Sequence, residues 1–208
     1  MFDLSTLILF TSASLLLALA PGPDNIFVLT QSALKGRLAG LVTTLGLCTG
    51  LIVHTSAVAL GVAAVFQASA LAFNLLKYAG AAYLLYLAWS AFRAGASVLS
   101  SESGQEISLT RYYLRGIVMN VTNPKVSIFF LAFLPQFTRP EMGRLPLQML
   151  VLGAIFILST LLVFGAISLL AGVLGQWFRR SERAQQLLNK TAGVVFAALA
   201  VKLAAASR

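Results

Sequence analysis

The sequence predicts an all-α polytopic membrane protein of six transmembrane helices, built as a 3+3 inverted repeat in which helices 1 and 4 are broken. Three observations lead there. Of 208 residues, 59% are hydrophobic and only 10% charged, less than half the charged share of an ordinary soluble domain. Apolar stretches of about 18 residues or more recur along the whole length, each long enough for a hydrocarbon layer about 30 Å thick. Two of these stretches carry proline interruptions about half a chain apart.

The spans read as Leu4 to Leu34, Leu38 to Phe66, Ala70 to Phe92, Tyr112 to Phe137, Leu147 to Phe178 and Leu187 to Ala204. At about 1.5 Å per residue the shortest just crosses the hydrocarbon, and the longest need tilt or a break. The longest connection, Arg93 to Arg111, contains Ser100-Ser101-Glu102-Ser103-Gly104-Gln105-Glu106 and reads as the hinge between halves. One transporter domain over 1–208 then divides into repeat halves 1–95 and 108–208. Ala18-Leu19-Ala20 resembles a signal-peptide cleavage site, but the N-terminus offers Asp3 in place of Lys or Arg and Pro21 would follow the cut. Span one is therefore expected to stay in the mature protein.

The interruptions are Pro21-Gly22-Pro23-Asp24-Asn25 in span one and Asn123-Pro124-Lys125 in span four, and setting Pro23 against Pro124 gives an offset of 101 residues. With three spans per half, the second half enters the bilayer in the opposite sense. Loops after spans one, three and five carry nine Lys and Arg, from Lys35 and Arg37 through Arg93, Arg111, Arg115, Arg179, Arg180 and Arg183 to Lys190. The other side carries five: Lys77, Arg139, Arg144, Lys202 and Arg208. That bias places the odd-numbered loops in the cytoplasm and both termini outside.

The net charge of +9 lies in short segments between apolar runs, so no basic patch for nucleic acid is expected. Cys48 is alone in an apolar run and reads as packing; neither a disulfide framework nor a metal site can be assembled, and no cofactor is expected. One Cys, one His and one clear intramembrane acid also argue against an enzyme.

A proline within a span removes a backbone donor and frees carbonyls one turn earlier, which hydrocarbon penalises. The plain account is a pair of kinks with Gly22 and Asn123 as N-caps and Pro23 and Pro124 at the first helical position. The charged neighbours Asp24 and Lys125 ask for more, since each costs about 2.5–3.5 kcal/mol near mid-membrane. Asp24 suits a helix N-terminus; Lys125 is opposed by the same dipole and needs a compensating anion, for which Asp24 and a substrate carboxylate are the two candidates. Inverted repeats would bring the two half-helix N-termini together, and with Lys125 they would form an anion site. Carbonyls freed at Ala18 to Ala20 and around Met119 to Val121, with Asp24, would accept an ammonium. A zwitterion fits such a pocket. The expected substrate-binding residues are Pro21, Gly22, Pro23, Asp24, Asn25, Asn123, Pro124 and Lys125.

Asp24 is also the stronger candidate for carrying a proton, with His54 as the second. His54 is the single histidine, and a hydrogen-bonded packing role competes with a proton relay. Lys77 is expected to snorkel to the outer interface, and Tyr78, Tyr83, Tyr86 and Trp89 to form an interface belt. Phe129, Phe133 and Phe137 make a helical stripe for core or lipid contact, with Phe129 one turn from Lys125 and within reach of the pocket. Gly36-x-x-x-Gly40 and Gly46-x-x-x-Gly50 form a packing seam, either within the chain or against a second subunit of a homodimer.

Taken together, Pro21-Gly22-Pro23-Asp24-Asn25, Lys35-Gly36-Arg37-x-x-Gly40, Leu45-Gly46-x-x-x-Gly50-x-x-x-His54, Leu76-Lys77-Tyr78-x-Gly80-x-x-Tyr83-Leu84, Asn123-Pro124-Lys125 and Phe129-Phe130-Leu131-x-Phe133-Leu134-Pro135-Gln136-Phe137 resemble the LysE/RhtB amino-acid exporter family. The resemblance covers nearly the whole chain. It implies a secondary transporter of the bacterial inner membrane, exporting amino acids or derivatives of the threonine, homoserine, leucine or lysine type by proton antiport. A transporter for another small solute or ion, or a membrane subunit without transport, are the competing readings; paired charged breaks weigh against the subunit.

Overall fold

The computed structural model describes residues 2–20, 22–68, 70–93, 108–180 and 182–205. Among them every regular element is a helix: α1 (Leu4–Leu19), α2 (Pro23–Lys35), α3 (Arg37–Ala68), α4 (Ala70–Arg93), α5 (Leu109–Val121), α6 (Pro124–Ile128), α7 (Leu145–Arg180) and α8 (Glu182–Ala205). The hinge expected between the halves falls on 94–107, outside the described residues.

The interruptions are real breaks. The first predicted span divides into α1 and α2 with a bend of 59°, and the fourth into α5 and α6 with a bend of 50°. Asp3 caps α1 by accepting from the Thr6 N–H at 2.7 Å. At the other end Pro21 and Pro23 withhold the N–H groups that would reach back to Leu17 and Leu19, so α1 stops there. α2 gives way to α3 through Gly36 alone, at φ +93°, a left-handed conformation that glycine adopts without cost. Beyond α6 the chain tightens through a π-helical turn at Phe129–Phe133 into a 3₁₀ turn at Leu134–Phe137. Pro135 cannot bond back to Leu131, which accounts for the irregular ladder.

Two helices are long and apolar enough to cross a membrane, α3 over Arg37–Gly61 and α7 over Leu145–Ala171, and each bent pair passes the same test as a unit. That gives up to four spans among the described residues by length and composition. The distribution of surface agrees with a lipid solvent: Leu60 is 78% exposed and Leu162 71%, while Thr43, Asn120 and Gln148 are buried. A water-soluble protein would reverse that pattern.

α3 and α7 cross at the centre. α3 also carries α5, α7 takes α1 and α2, and α4 lies along α8. The glycine seam on α3 is used inside the chain. A Cβ on Gly46 would stand 2.1 Å from the Tyr113 carbonyl oxygen, and one on Gly116 2.4 Å from that of Thr43. Gly50 gives way to the Asn120 side chain, and Gly40 to Ser32 and Ser168. Backbones approach this closely only where side chains are absent. The seam therefore supplies no argument for a second subunit.

Lys77 differs from its expectation: it is buried, with its ammonium 4.6 Å from the centre of the Tyr78 ring, so an aromatic face rather than an open interface takes part of its charge. Of the four expected belt residues Tyr78, Tyr86 and Trp89 face outward, while Tyr83 is half-buried beside Tyr86. Phe129, Phe133 and Phe137 are fully interior, stacked with Phe10, Phe130 and Phe156 in one aromatic cluster.

Candidate functional site

α1 ends with the carbonyls of Leu17, Ala18 and Ala20 facing the break. The Lys125 ammonium, reaching across from α6, donates to Leu17 at 3.0 Å and to Ala20 at 2.9 Å. The Asn25 amide donates to Ala18. Gly22 lies beside this contact, where a Cβ would stand in ordinary van der Waals contact with Nζ at 3.4 Å. The end of α1 carries roughly half a negative charge on its unsatisfied carbonyls. A cation opposed by the dipole of its own helix is thus held by that of its neighbour.

This corrects one expectation. The direct hydrogen-bond partners of Lys125 are main-chain carbonyls of α1, which were not among the expected anions, while Asp24 acts on it at longer range. The two side chains line one cavity, but among the described residues they form no ion pair within 4.0 Å.

The second break is closed in a parallel way. Pro124 leaves the Asn120 carbonyl without its helical donor, and His54 Nε2 sits 3.1 Å from it. A carbonyl only accepts, so Nε2 carries the hydrogen. Thr122 donates its hydroxyl to Val118 at 2.8 Å. Asn123 acts as the N-cap of α6, its side-chain oxygen accepting from the Lys125 N–H at 3.0 Å. The carbonyls expected to receive a substrate ammonium are therefore largely occupied by the protein's own donors. Buried backbone acceptors in hydrocarbon find partners wherever a side chain can reach.

What remains unoccupied is different in kind. Asp24 accepts from the Asn120 amide at 3.3 Å through Oδ2 and has the Asn123 side chain close by, while Asp24 Oδ1 and Asn120 Oδ1 are buried with no donor in hydrogen-bonding geometry. Both residues line a cavity with Gly22, Asn25, Asn123 and Lys125, closed on its apolar sides by Leu17, Leu51, Val126, Phe156 and Phe164, with Thr160 from α7. Two free acceptors, one of them a carboxylate, suit an ammonium, which offers three donors and no acceptor. The space for water-sized occupants is about 20 Å³, room for roughly one water. Anything the size of an amino acid requires the surrounding helices to separate.

The structure brings Gly22, Asp24, Asn25, Asn123 and Lys125 to one cavity. Pro23 and Pro124 occupy the first helical positions as the capping account requires. Pro21 lies outside the described residues. His54 is not in the cavity wall but one step behind it, joined through Asn120. Phe129 is turned into the aromatic cluster, and Phe156 lines the cavity in its place. The sequence reading missed Asn120 and Thr160. An asparagine one turn before a proline break was a usable signal, because a free amide in hydrocarbon needs a reason; Thr160 carried none.

The profile of the LysE type translocator family matches residues 15–207. The chain belongs to that family. Among relatives, a homoserine/homoserine lactone efflux protein of Salmonella typhimurium is 35% identical over 193 residues, 93% of each chain. A membrane protein of Vibrio cholerae of unassigned function is 31% identical over 204 residues, 98% of each chain. No solved structure matches. Membership in the LysE family makes this chain a membrane translocator.

Proposed function

We propose that the protein exports amino acids or close derivatives from the cytoplasm across the bacterial inner membrane, homoserine and its lactone being the first to try, in exchange for protons. The observation that carries this is the pair of unpartnered acceptors, Asp24 Oδ1 and Asn120 Oδ1, in a cavity between two helix breaks. A substrate ammonium and a proton both neutralise Asp24, and one carboxylate serves only one of them at a time. Competition of that kind couples their movements in opposite directions. Gly22, Asn25, Asn123 and Lys125 hold the site in shape, Pro21, Pro23 and Pro124 create the breaks, and His54 acts on the coupling residue through Asn120.

Six spans follow if α4 and α8 also cross, and 1–95 and 108–208 are then inverted halves. The packing supports this: α3 of the first half lies on α5 of the second, α7 of the second on α1 of the first, and α4 on α8. Asp3 before α1 and Arg139 before α7 form an ion pair, which supports a common side for those two ends, and the Lys and Arg bias favours the outer one.

The test is efflux from proteoliposomes loaded with labelled homoserine, homoserine lactone, threonine, leucine and lysine, with and without an inward proton gradient. Gradient-stimulated efflux of at least one compound is expected, and Asp24→Asn should remove the stimulation. If the wild-type protein releases none of them, the exporter reading fails.

A further inference from the structure

Two apolar clusters of different construction flank the cavity. Towards the Asp3 and Arg139 side stands the aromatic cluster built on Phe10, Phe129, Phe130, Phe133, Phe137 and Phe156. Towards the Lys35 and Arg37 side stands a far smaller cluster of Ala18, Val28, Leu47, Val163 and Phe164. Behind that smaller cluster the lining turns polar again. On α2, Asp24, Val28 and Ser32 follow at steps of four residues and are all buried; on α7, Thr160, Phe164 and Ser168 do the same. Steps of four keep side chains on one helical face. The two faces meet at Gly40, where a Cβ would stand 1.7 Å from Ser32 Oγ and 2.8 Å from Ser168 Oγ.

Ser168 is unusual among the hydroxyls of the described residues. Ser14, Ser32, Thr43, Thr44, Thr55 and Ser159 each donate to the carbonyl four residues back. Ser168 Oγ is wholly buried and has no partner. A hydroxyl left unbonded in a dry interior costs on the order of 1–3 kcal/mol, and the back-bond that would relieve it is a common arrangement in membrane helices. A polar group kept available at that point suits a surface that is wetted in another conformation.

We infer that the substrate reaches the cavity from the Lys35 and Arg37 side along the seam between α2 and α7, with Val28 and Phe164 as the constriction and the Ser32 and Ser168 hydroxyls lining the approach. From Asp24 to Ser32 the barrier is about 12 Å long, eight residues of helix. Opening it separates one valine from one phenylalanine, whereas opening the other side requires the aromatic cluster to come apart. The inference rests on the transporter reading of the cavity.

The test is thiol labelling of single-cysteine proteins in sealed vesicles, in a Cys48→Ala background whose efflux is measured first. Ser168→Cys should react with a membrane-impermeant reagent from the same face that labels Lys35→Cys, and labelling should block efflux. Adding Phe164→Ala should speed the reaction by about tenfold, a shift of about 1.4 kcal/mol between closed and open forms. Val28→Cys, a smaller side chain at the constriction, carries the test if Ser168→Cys does not reach the membrane. Labelling from the opposite face only, or none even with Phe164→Ala in a background that still exports, overturns the route. A background that exports none of the compounds in either form sinks the transporter reading itself, whatever the labelling.

Discussion

The two breaks occupy matching positions in the chain and carry opposite charges that play different parts. At the first, the helix that resumes starts from Gly22, has no side-chain cap and puts Asp24 in its opening turn. At the second, Asn123 caps the restart and Lys125 follows. Lys125 has its ammonium on two carbonyls of α1, and the neighbouring acceptors are filled by Asn25, His54 and Thr122. Asp24 keeps one carboxylate oxygen without a partner. The cation is thus part of the framework that holds the break, and the acid is the group that the proposed exchange would use.

That contrast gives its sharpest test in Lys125→Met against Asp24→Asn. Lys125→Met should abolish efflux and Asp24→Asn its stimulation by the proton gradient, but their stabilities should part. Removing the ammonium orphans two buried carbonyls at a cost of about 1–3 kcal/mol each, so the melting temperature in detergent should drop clearly. Asp24→Asn replaces a half-partnered buried carboxylate by a neutral amide and should leave the melting temperature unchanged or raised. Equal losses of stability in the two variants would erase the distinction between framework and reacting group.

Gly116→Ala should come next in size. Its methyl would press on the α3 backbone at Thr43, and overpacking of this kind costs about 1–3 kcal/mol. Because α5 leads into the second break, thermal melting should fall and efflux with it, while an equivalent Gly143→Ala, in open space, should act only through its left-handed backbone.

His54→Phe removes one hydrogen bond to the Asn120 carbonyl, worth about 1 kcal/mol, and efflux should fall by less than about tenfold. Its pH profile should stay as in the wild type. A displaced profile would return His54 to the proton path. The smallest effect belongs to Asp3. Hydrogen bonds from the side chain and N–H of Thr6, then from Ser5, hold its carboxyl well below its ordinary value of 3.8. A depressed carboxylate contributes its stability above that ordinary value and loses it only as the pH falls through the lower, folded one. Asp3→Asn should therefore lower the melting temperature at neutrality, only slightly because the site is exposed, and that difference should persist to mildly acidic pH and close only as the pH falls below the ordinary carboxylate value.

Much of the site was legible beforehand because proline chemistry is local. A missing N–H leaves a carbonyl unsatisfied whatever surrounds it, so Pro21, Pro23 and Pro124 announced the breaks, and Asp24 and Lys125 announced that the breaks carry charge. The capping roles of Gly22 and Asn123 followed from the same local rules. The partners were not legible. That Lys125 would turn to Leu17 and Ala20, that Asn120 would bridge Asp24 and His54, and that Phe156 and not Phe129 would face the cavity depend on helices far apart in the chain.

Composition and hydropathy alone determined the solvent, the helical class and the places where helices must stop, since these depend on transfer energies and backbone donors counted residue by residue. Only the tertiary structure decided which freed carbonyl meets which donor, because each buried donor has several acceptors within reach and the crossing angles of α3, α5 and α7 choose among them. The oxygens of Asp24 and Asn120 are left open by that choice, and no reading of spacing could have singled them out.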